Sequence, residues 1–359
     1  MNNSNICTIV AKNYISFART LCESFLATHP SGKCFVLIID DIVNFIDPDD
    51  ENFDIISLNE LNIPDIRSLS FKYDITEFST AVKPYLMEYL LVEENVEKLL
   101  YLDPDILVTD SLEELYTKLN DTDIILTPHL DTDYPDDGLM PNDSHIMRSG
   151  IFNLGFIGVR NCNNTKNFLR WWQKKLFDKC LIDHKAGYMV DQKFIDYALV
   201  LFTGISIIYD TGYNVAYWNI HSRNIESIGD RWKCNKKNLY FFHFSDFKPD
   251  ETEKISGHQT RYNLNDNKGL EDIFRHYSNK LFEHGYKKTR SWPYTYNYYN
   301  SGKQIRNSAR KLFKKEESSL NVSDPFEIKY FPFTFKYRLL FREIFSYIAK
   351  VSTYISNNI

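Results

Sequence analysis

Apolar positions in this chain fall into short runs separated by stretches of helical period. Ile6 to Ala11 is a short, largely apolar run and predicts a buried strand. Tyr14 to Thr28 places Ile15, Ala18, Leu21, Cys22 and Phe25 at helical spacing, and His29-Pro30-Ser31-Gly32 ends the pattern. Cys34 to Ile39 and Phe53 to Leu58 read as two further strands. Thr76 to Val92 reads as a helix with Val82, Tyr85, Leu86, Tyr89 and Leu90 on one face, and with Pro84 in its first turns or kinking it. Lys98 to Leu102 is a strand, Leu112 to Leu119 a short helix capped by Asp110 or Ser111, and Asp123 to Thr127 another strand. Short apolar strands alternating with helices predict an α/β fold with a mixed, mostly parallel sheet covered on both faces.

The second half is less regular. Residues 129–149 are polar with little period and predict a loop, either a mobile lid or a plain surface excursion. Ile151 to Arg160 is a strand interrupted by glycines, which favour close approach of backbone. Thr165 to Cys180 is a helix carrying Trp171-Trp172, Asp191 opens another, and Tyr240 to Ser245 is an aromatic strand holding one histidine. Leu340, Ile344, Ile348, Val351 and Ile355 then repeat at helical spacing, with Arg338, Arg342 and Lys350 off that stripe.

Composition changes this picture little. A hydrophobic share of 43% and a charged share of 25% over 359 residues describe a globular chain with room for one large domain and an appendage. The net charge of −6 argues against a general nucleic-acid binder. Residues 301–350 hold eleven Lys and Arg against five Asp and Glu, so the tail is basic on an otherwise acidic chain. A basic amphipathic helix suits an anionic membrane surface, and it equally suits docking on its own domain. Six scattered cysteines without a C-x-x-C pair read as reduced thiols. The N-terminus lacks a basic region followed by a long apolar one, and no apolar run reaches 18 residues; the expectation is a cytoplasmic protein, at most peripheral to the inner face of a membrane.

The most informative chemistry is at the end of the fourth strand, in Asp103-Pro104-Asp105. In extended backbone the two carboxylates, two residues apart, share one side. Two hard oxygen donors suit Mg²⁺ or Mn²⁺. The same letters also make an ordinary turn, and the chain has a second copy at Asp47-Pro48-Asp49. The apolar strand leading into the first copy, Leu99 to Leu102, favours the metal reading, because ligands in such sheets bind beyond the carboxyl ends of strands.

Five landmarks stand in order: Ala11-Lys12-Asn13-Tyr14, Lys83, Asp103-Pro104-Asp105, Asn153-Leu154-Gly155, and Asp191-Gln192 followed by His243-Phe244-Ser245. Over residues 6–247 this set resembles the retaining GT-A glycosyltransferases of family 8, the group of glycogenin and the bacterial lipopolysaccharide galactosyl- and glucosyltransferases. The resemblance implies a GT-A catalytic domain, placed over 1–265; the charge and spacing of the remainder divide it into a helical and aromatic connector over 266–300 and a basic amphipathic extension over 301–359. It implies a metal-dependent hexosyltransferase, with Mn²⁺ or Mg²⁺ held by Asp103, Asp105 and His243. By the same resemblance Asn13 and Tyr14 meet the nucleotide, and Lys83, Asp103, Asn153 and Gly155 contact the donor. Gln192 lies under the reactive face of the sugar beside Asp191. The partners implied are a nucleotide-sugar donor, of the UDP type, and a glycan or glycolipid acceptor.

The chain departs from that pattern in places. An acidic base-reading residue near the first strand end is replaced by Ala11 or Lys12, Lys193 follows Asp191-Gln192 where Asp is usual, and Asp246 stands where glycine is usual. These departures bear on the base and on the seating of the diphosphate. Two other classes compete: a sugar-nucleotide nucleotidyltransferase, which would show a Gly-rich basic loop after the first strand, and a non-catalytic carbohydrate-binding protein.

Overall fold

The computed structural model describes residues 4–342 apart from 230, 252 and 321. The chain divides into two units. The larger takes the described residues up to Asn62 together with Ser79–Trp292, and the smaller takes Ile63–Phe78 with the described residues from Pro293 onward.

The larger unit is built on a seven-stranded sheet. Its strands are β1 (Asn5–Val10), β2 (Lys33–Ile38), β3 (Asp54–Ser57), β4 (Lys98–Leu102), β6 (Ile124–Pro128), β7 (Phe152–Arg160) and β8 (Ile205–Ile207), in the order β8-β6-β7-β4-β1-β2-β3. All neighbours pair in parallel except around β7, which runs against both β4 and β6. The sheet is therefore mixed and mostly parallel, as the alternation of runs predicts. Its strands read as continuous apolar segments because both faces are covered. The residues of β1, β4 and β6 are buried throughout.

Helix α1 (Ile15–Thr28) buries Ile15, Ala18, Leu21, Cys22 and Phe25, the stripe expected from spacing, against Val10, Val36, Ile38 and Leu100. Ile15, Leu21 and Phe25 each contribute about 1.5–3 kcal/mol of apolar transfer. The segment read as one helix from Thr76 is two, Ile75–Ala81 and α2 (Lys83–Val92). Pro84 sits in the first turn of α2, where its missing N–H breaks no helical bond. Helix α3 (Asn163–Lys179) buries Phe168, Leu169, Trp172 and Leu176. The helix at Glu113–Lys118 starts from Leu112 rather than from Asp110 or Ser111 and has no side-chain cap.

Residues 129–149 are not wholly loop. Asp143–Ser149 is helical, with Asn142 and His145 forming a reciprocal capping box. A polar stretch holding one short helix has too few apolar positions to show a period.

Two short strands stand apart from the large sheet and decide the site. β5 (Ile106–Val108) pairs antiparallel with β9 (Phe241–His243), with His243 opposite Ile106. The aromatic residues of this region pack with α4 (Lys268–Glu283). Phe242, Phe244 and Phe247 lie against Phe274 and Tyr277, and the Phe244 and Tyr277 rings stack at 3.8 Å.

In the smaller unit the helix Asn307–Glu316 turns Ala309, Leu312 and Phe313 inward with Phe71, Phe326 and Phe331. Arg310 is buried there and donates to the carbonyls of Phe71 and Tyr73 at 2.6 and 2.5 Å. Part of the basic surplus of the tail is thus used inside this unit. Ile344, Ile348, Lys350, Val351 and Ile355, which carry most of the amphipathic stripe, lie outside the described residues. No helix among the described residues is long and apolar enough to cross a membrane. All six cysteines are free and five are buried.

Candidate metal centre

The site begins where β4 stops. Asp103, Pro104 and Asp105 are not extended. The Ile106 N–H donates to the Asp103 carbonyl at 3.2 Å, closing a turn with proline at its second position. The carboxylates converge because the turn folds between β4 and β5, rather than because the backbone alternates. The Asp103 N–H is fixed to the Gly155 carbonyl of β7 at 2.7 Å, and the Phe244 N–H to the Asp105 carbonyl at 2.8 Å. These two bonds hold the turn between β7 and β9.

His243 is carried to the turn by β9. Its Nε2 lies 3.0 Å from an Asp105 oxygen and 3.9 Å from an Asp103 oxygen. One ligand atom from each of the three residues falls within 4.8 Å of the other two. Burial opposes charge on the His243 ring, but Asp105 and then Asp103 outweigh it and raise its pKa. Two carboxylates and one imidazole nitrogen converging on one point fit a first-row divalent cation or Mg²⁺. These side chains are partly exposed at the carboxylates and buried at the histidine, so an ion could enter from the carboxylate side.

The shell around Asp103 is built from α2 and β4. The Tyr101 hydroxyl donates to Asp103 at 2.7 Å, which orients the carboxylate. Lys83 is 1% exposed; its ammonium donates to Asp191 at 2.5 Å and to the Leu154 carbonyl at 2.7 Å. It also lies 3.8 Å from Asp103 and 4.2 Å from the centre of the Tyr101 ring. Burial works against the charged lysine, yet Asp191 and Asp103 more than compensate and raise its pKa. Asp191 is tethered further by the Trp172 indole of α3, which donates to its carbonyl at 3.0 Å. Gln192 donates its amide to the Ser149 carbonyl at 2.9 Å.

Gly155 has a stricter role than a site of general backbone approach. A Cβ there would lie 2.3 Å from His243 Cε1 and 2.7 Å from its Nδ1. The ring is seated on the glycine, so only Gly155 lets His243 reach the carboxylates. Asn153, on the same face of β7, accepts the Gly155 N–H at 3.1 Å.

At the end of β1, residues 12–14 make a single 3-10 turn. Tyr14 is half-exposed and stacks on Phe17 at 4.5 Å. Burial and then the Asp105 carboxylate push its hydroxyl up to about 12. The Asn13 side-chain amide oxygen Oδ1 is buried without a hydrogen-bond partner. Lys12 lies 3.2 Å from Asp40 at the end of β2.

Thus Asp103, Asp105, His243, Lys83, Asp191, Asn153 and Gly155 form one connected group. Asn13 and Tyr14 stand at the neighbouring strand end, and Gln192 faces the helix at Asp143–Ser149. Asp246, at the position where glycine is usual, adopts a left-handed φ of 57° and accepts the Gly257 N–H at 3.2 Å. Asp tolerates that conformation better than most residues, so the turn survives the departure.

Sequence reasoning did not find Asn214, His129, Trp218 and Asn219. Asn214 sits at a left-handed φ of 51° and is fully buried. Its only signal is its place in Gly212-Tyr213-Asn214, a turn-prone triplet before an apolar residue.

No family model matches the chain. It is similar to two Bacillus subtilis (strain 168) proteins, the uncharacterized proteins YfnF and YfnD. YfnF is 21% identical over 260 residues, spanning 68% of this chain and 82% of that protein. YfnD is 21% identical over 255 residues, spanning 69% and 79%. Among solved structures, a galactosyltransferase LgtC in complex with donor and acceptor sugar analogs is 16% identical with a TM-score of 0.44, covering 77% of this chain and 96% of that one. The glycosyltransferase GlyE of Streptococcus pneumoniae TIGR4 is 14% identical with a TM-score of 0.45, covering 83% and 67%.

Proposed function

We propose that this protein is a metal-dependent glycosyltransferase of the GT-A type, moving a hexose from a nucleotide-sugar of the UDP kind to a glycan or glycolipid hydroxyl with retention. The observation that carries this reading is the convergence of Asp103, Asp105 and His243 within 4.8 Å at the carboxyl end of a central strand. Asp103, Asp105 and His243 would hold the cation, Mn²⁺ or Mg²⁺. When bound, it supplies Lewis-acid neutralisation of charge on the departing nucleoside diphosphate.

The other residues bind and orient. Tyr14 offers an aromatic face and Asn13 an unsatisfied side-chain amide oxygen beside the metal turn, as a nucleoside would need. Asp191 is held by the Lys83 ammonium at 2.5 Å, so its carboxylate serves to orient this wall of the site rather than to attack the sugar. Gln192 is a poor nucleophile. Both points favour a front-face displacement, in which an oxygen of the leaving diphosphate takes the acceptor proton.

The test is donor turnover. The purified chain is incubated with a panel of sugar nucleotides and Mn²⁺, with and without EDTA. Hydrolysis of one donor to its nucleoside diphosphate, abolished by chelator and restored by added Mn²⁺, is the expected result. Silence across the panel would remove the reading. Pyrophosphate release from a nucleoside triphosphate would replace it with the nucleotidyltransferase.

A further inference from the structure

Behind His243 lies a chain of buried amides whose orientation can be read from one backbone group. The Gly155 N–H can only donate, and it points to Asn153 Oδ1 at 3.1 Å. That fixes which end of the Asn153 amide is oxygen. Asn214 places an amide end 3.1 Å from the same oxygen, so that end must be the nitrogen. The nitrogen also reaches Thr127 Oγ1 at 2.8 Å. The other end of Asn214 is then its oxygen, and it faces His243 Nδ1 at 3.3 Å. An amide oxygen can only accept, so Nδ1 carries the proton. In the neutral ring Nε2 is left with its lone pair, 3.0 Å from Asp105 and 3.9 Å from Asp103.

The backbone enforces this contact. The His243 N–H donates to the Val215 carbonyl at 2.8 Å, and the Val215 N–H donates to the Phe241 carbonyl at 3.2 Å, which places Asn214 beside the ring. Asn219 donates to the Asn214 carbonyl at 3.0 Å and holds the turn. Trp218 packs against the imidazole at 5.1 Å with the two rings nearly perpendicular. At the far end of the relay, Asn153 Nδ2 faces His129 Nε2 at 3.4 Å, completing the use of both Asn153 groups.

We infer that Asn214 is a positioning residue that selects the Nδ1-protonated tautomer of His243, and that the orientation of its amide is set by Asn153 and, through it, by the Gly155 backbone. The inference rests on the reading of His243 as a metal ligand. A second-sphere partner of this kind raises metal affinity about 10–100-fold.

The experiment uses the full chain labelled with ¹⁵N-histidine and loaded with Cd²⁺ alone, without a sugar nucleotide. His243 is assigned by its absence from His243→Gln. The expected spectrum has Nδ1 protonated and Nε2 bound to cadmium. Ligation through Nδ1 would overturn the relay while leaving the metal reading intact. No cadmium perturbation of His243 would overturn the metal reading itself, and the relay with it. In parallel, Mn²⁺ affinity is measured by titration. Asn214→Leu weakens it about 10–100-fold, and so does Asn153→Leu, which frees the Asn214 amide to turn over. Wild-type affinity in Asn214→Leu would refute the role. Should the leucine variants not fold, the wild-type spectrum still decides.

Discussion

The chain contains the same tripeptide twice, and each copy closes a turn with the same backbone hydrogen bond, the first at the start of a 3-10 helix and the second between two strands. At Asp47-Pro48-Asp49 the Asp50 N–H donates to the Asp47 carbonyl at 3.2 Å; at Asp103-Pro104-Asp105 the Ile106 N–H donates to the Asp103 carbonyl at 3.2 Å. The first copy is exposed along its length, and its leading aspartate caps the turn through the Asp49 N–H. The second has its leading aspartate tied by Tyr101 and its trailing aspartate facing His243. Local sequence therefore explains the turn in both places and the metal centre in neither. What differs is that β7 and β9 pass beside one copy, whereas among the described residues the other stays exposed along its length.

This contrast can be tested by paired substitutions. Asp105→Asn should lower donor turnover by about 10³–10⁴-fold, since removing a metal-holding carboxylate costs several kcal/mol at about 1.4 kcal/mol per tenfold. Asp49→Asn should stay within about twofold in turnover and about 0.5 kcal/mol in stability. Equal effects at the two sites would erase the distinction.

The buried wall behind the active copy gives a second break. Lys83→Met leaves the Asp191 carboxylate buried and unpaired, and should destabilise the protein by about 3–5 kcal/mol in denaturant melts. Removing both charges in Lys83→Met with Asp191→Leu should recover much of that loss. A single variant as stable as the parent would mean that the pair does not hold this wall.

A third, smaller effect is pH-dependent. His129 is buried, and desolvation lowers its pKa to about 4 from the ordinary 6.5. The folded state therefore binds fewer protons there than the unfolded state. The stability that depends on neutral His129 is fully present above about 6.5 and is lost as pH falls toward about 4. The loss is on the order of 3 kcal/mol. His129→Gln should flatten the stability profile in that window, measured by urea midpoints from pH 7 to pH 4. A profile as steep as the parent's would assign the acid sensitivity to other groups.

The strands and most helices were legible because burial of a sheet on both faces writes itself as continuous apolar runs, and α1 shows the same stripe in sequence and in packing. The helix at Asp143–Ser149 was not legible, because it buries none of its residues and so leaves no period. Asp103, Asp105 and His243 could be named from their chemistry and order, but their convergence could not. The assumed reason, alternation in extended backbone, gives way to a turn. Gly155 was visible as a glycine in a strand, whereas its partner is the His243 ring. Asn214 carries no motif of its own; an asparagine in a turn is ordinary until its two amide ends are seen to face different groups.

By itself, then, the sequence determined the alternating α/β layout, the burial of the central strands, and the chemical kinds of residue available for a cation. These depend on side-chain polarity and local backbone preference, which act within a few residues. Tertiary structure alone decided which Asp-Pro-Asp meets a histidine 138 positions further along the chain, which tautomer that histidine takes, and why Lys83 faces Asp191. Those outcomes depend on the pairing of β5 with β9 and on the antiparallel course of β7, contacts whose partners are too distant in sequence for any local pattern to record.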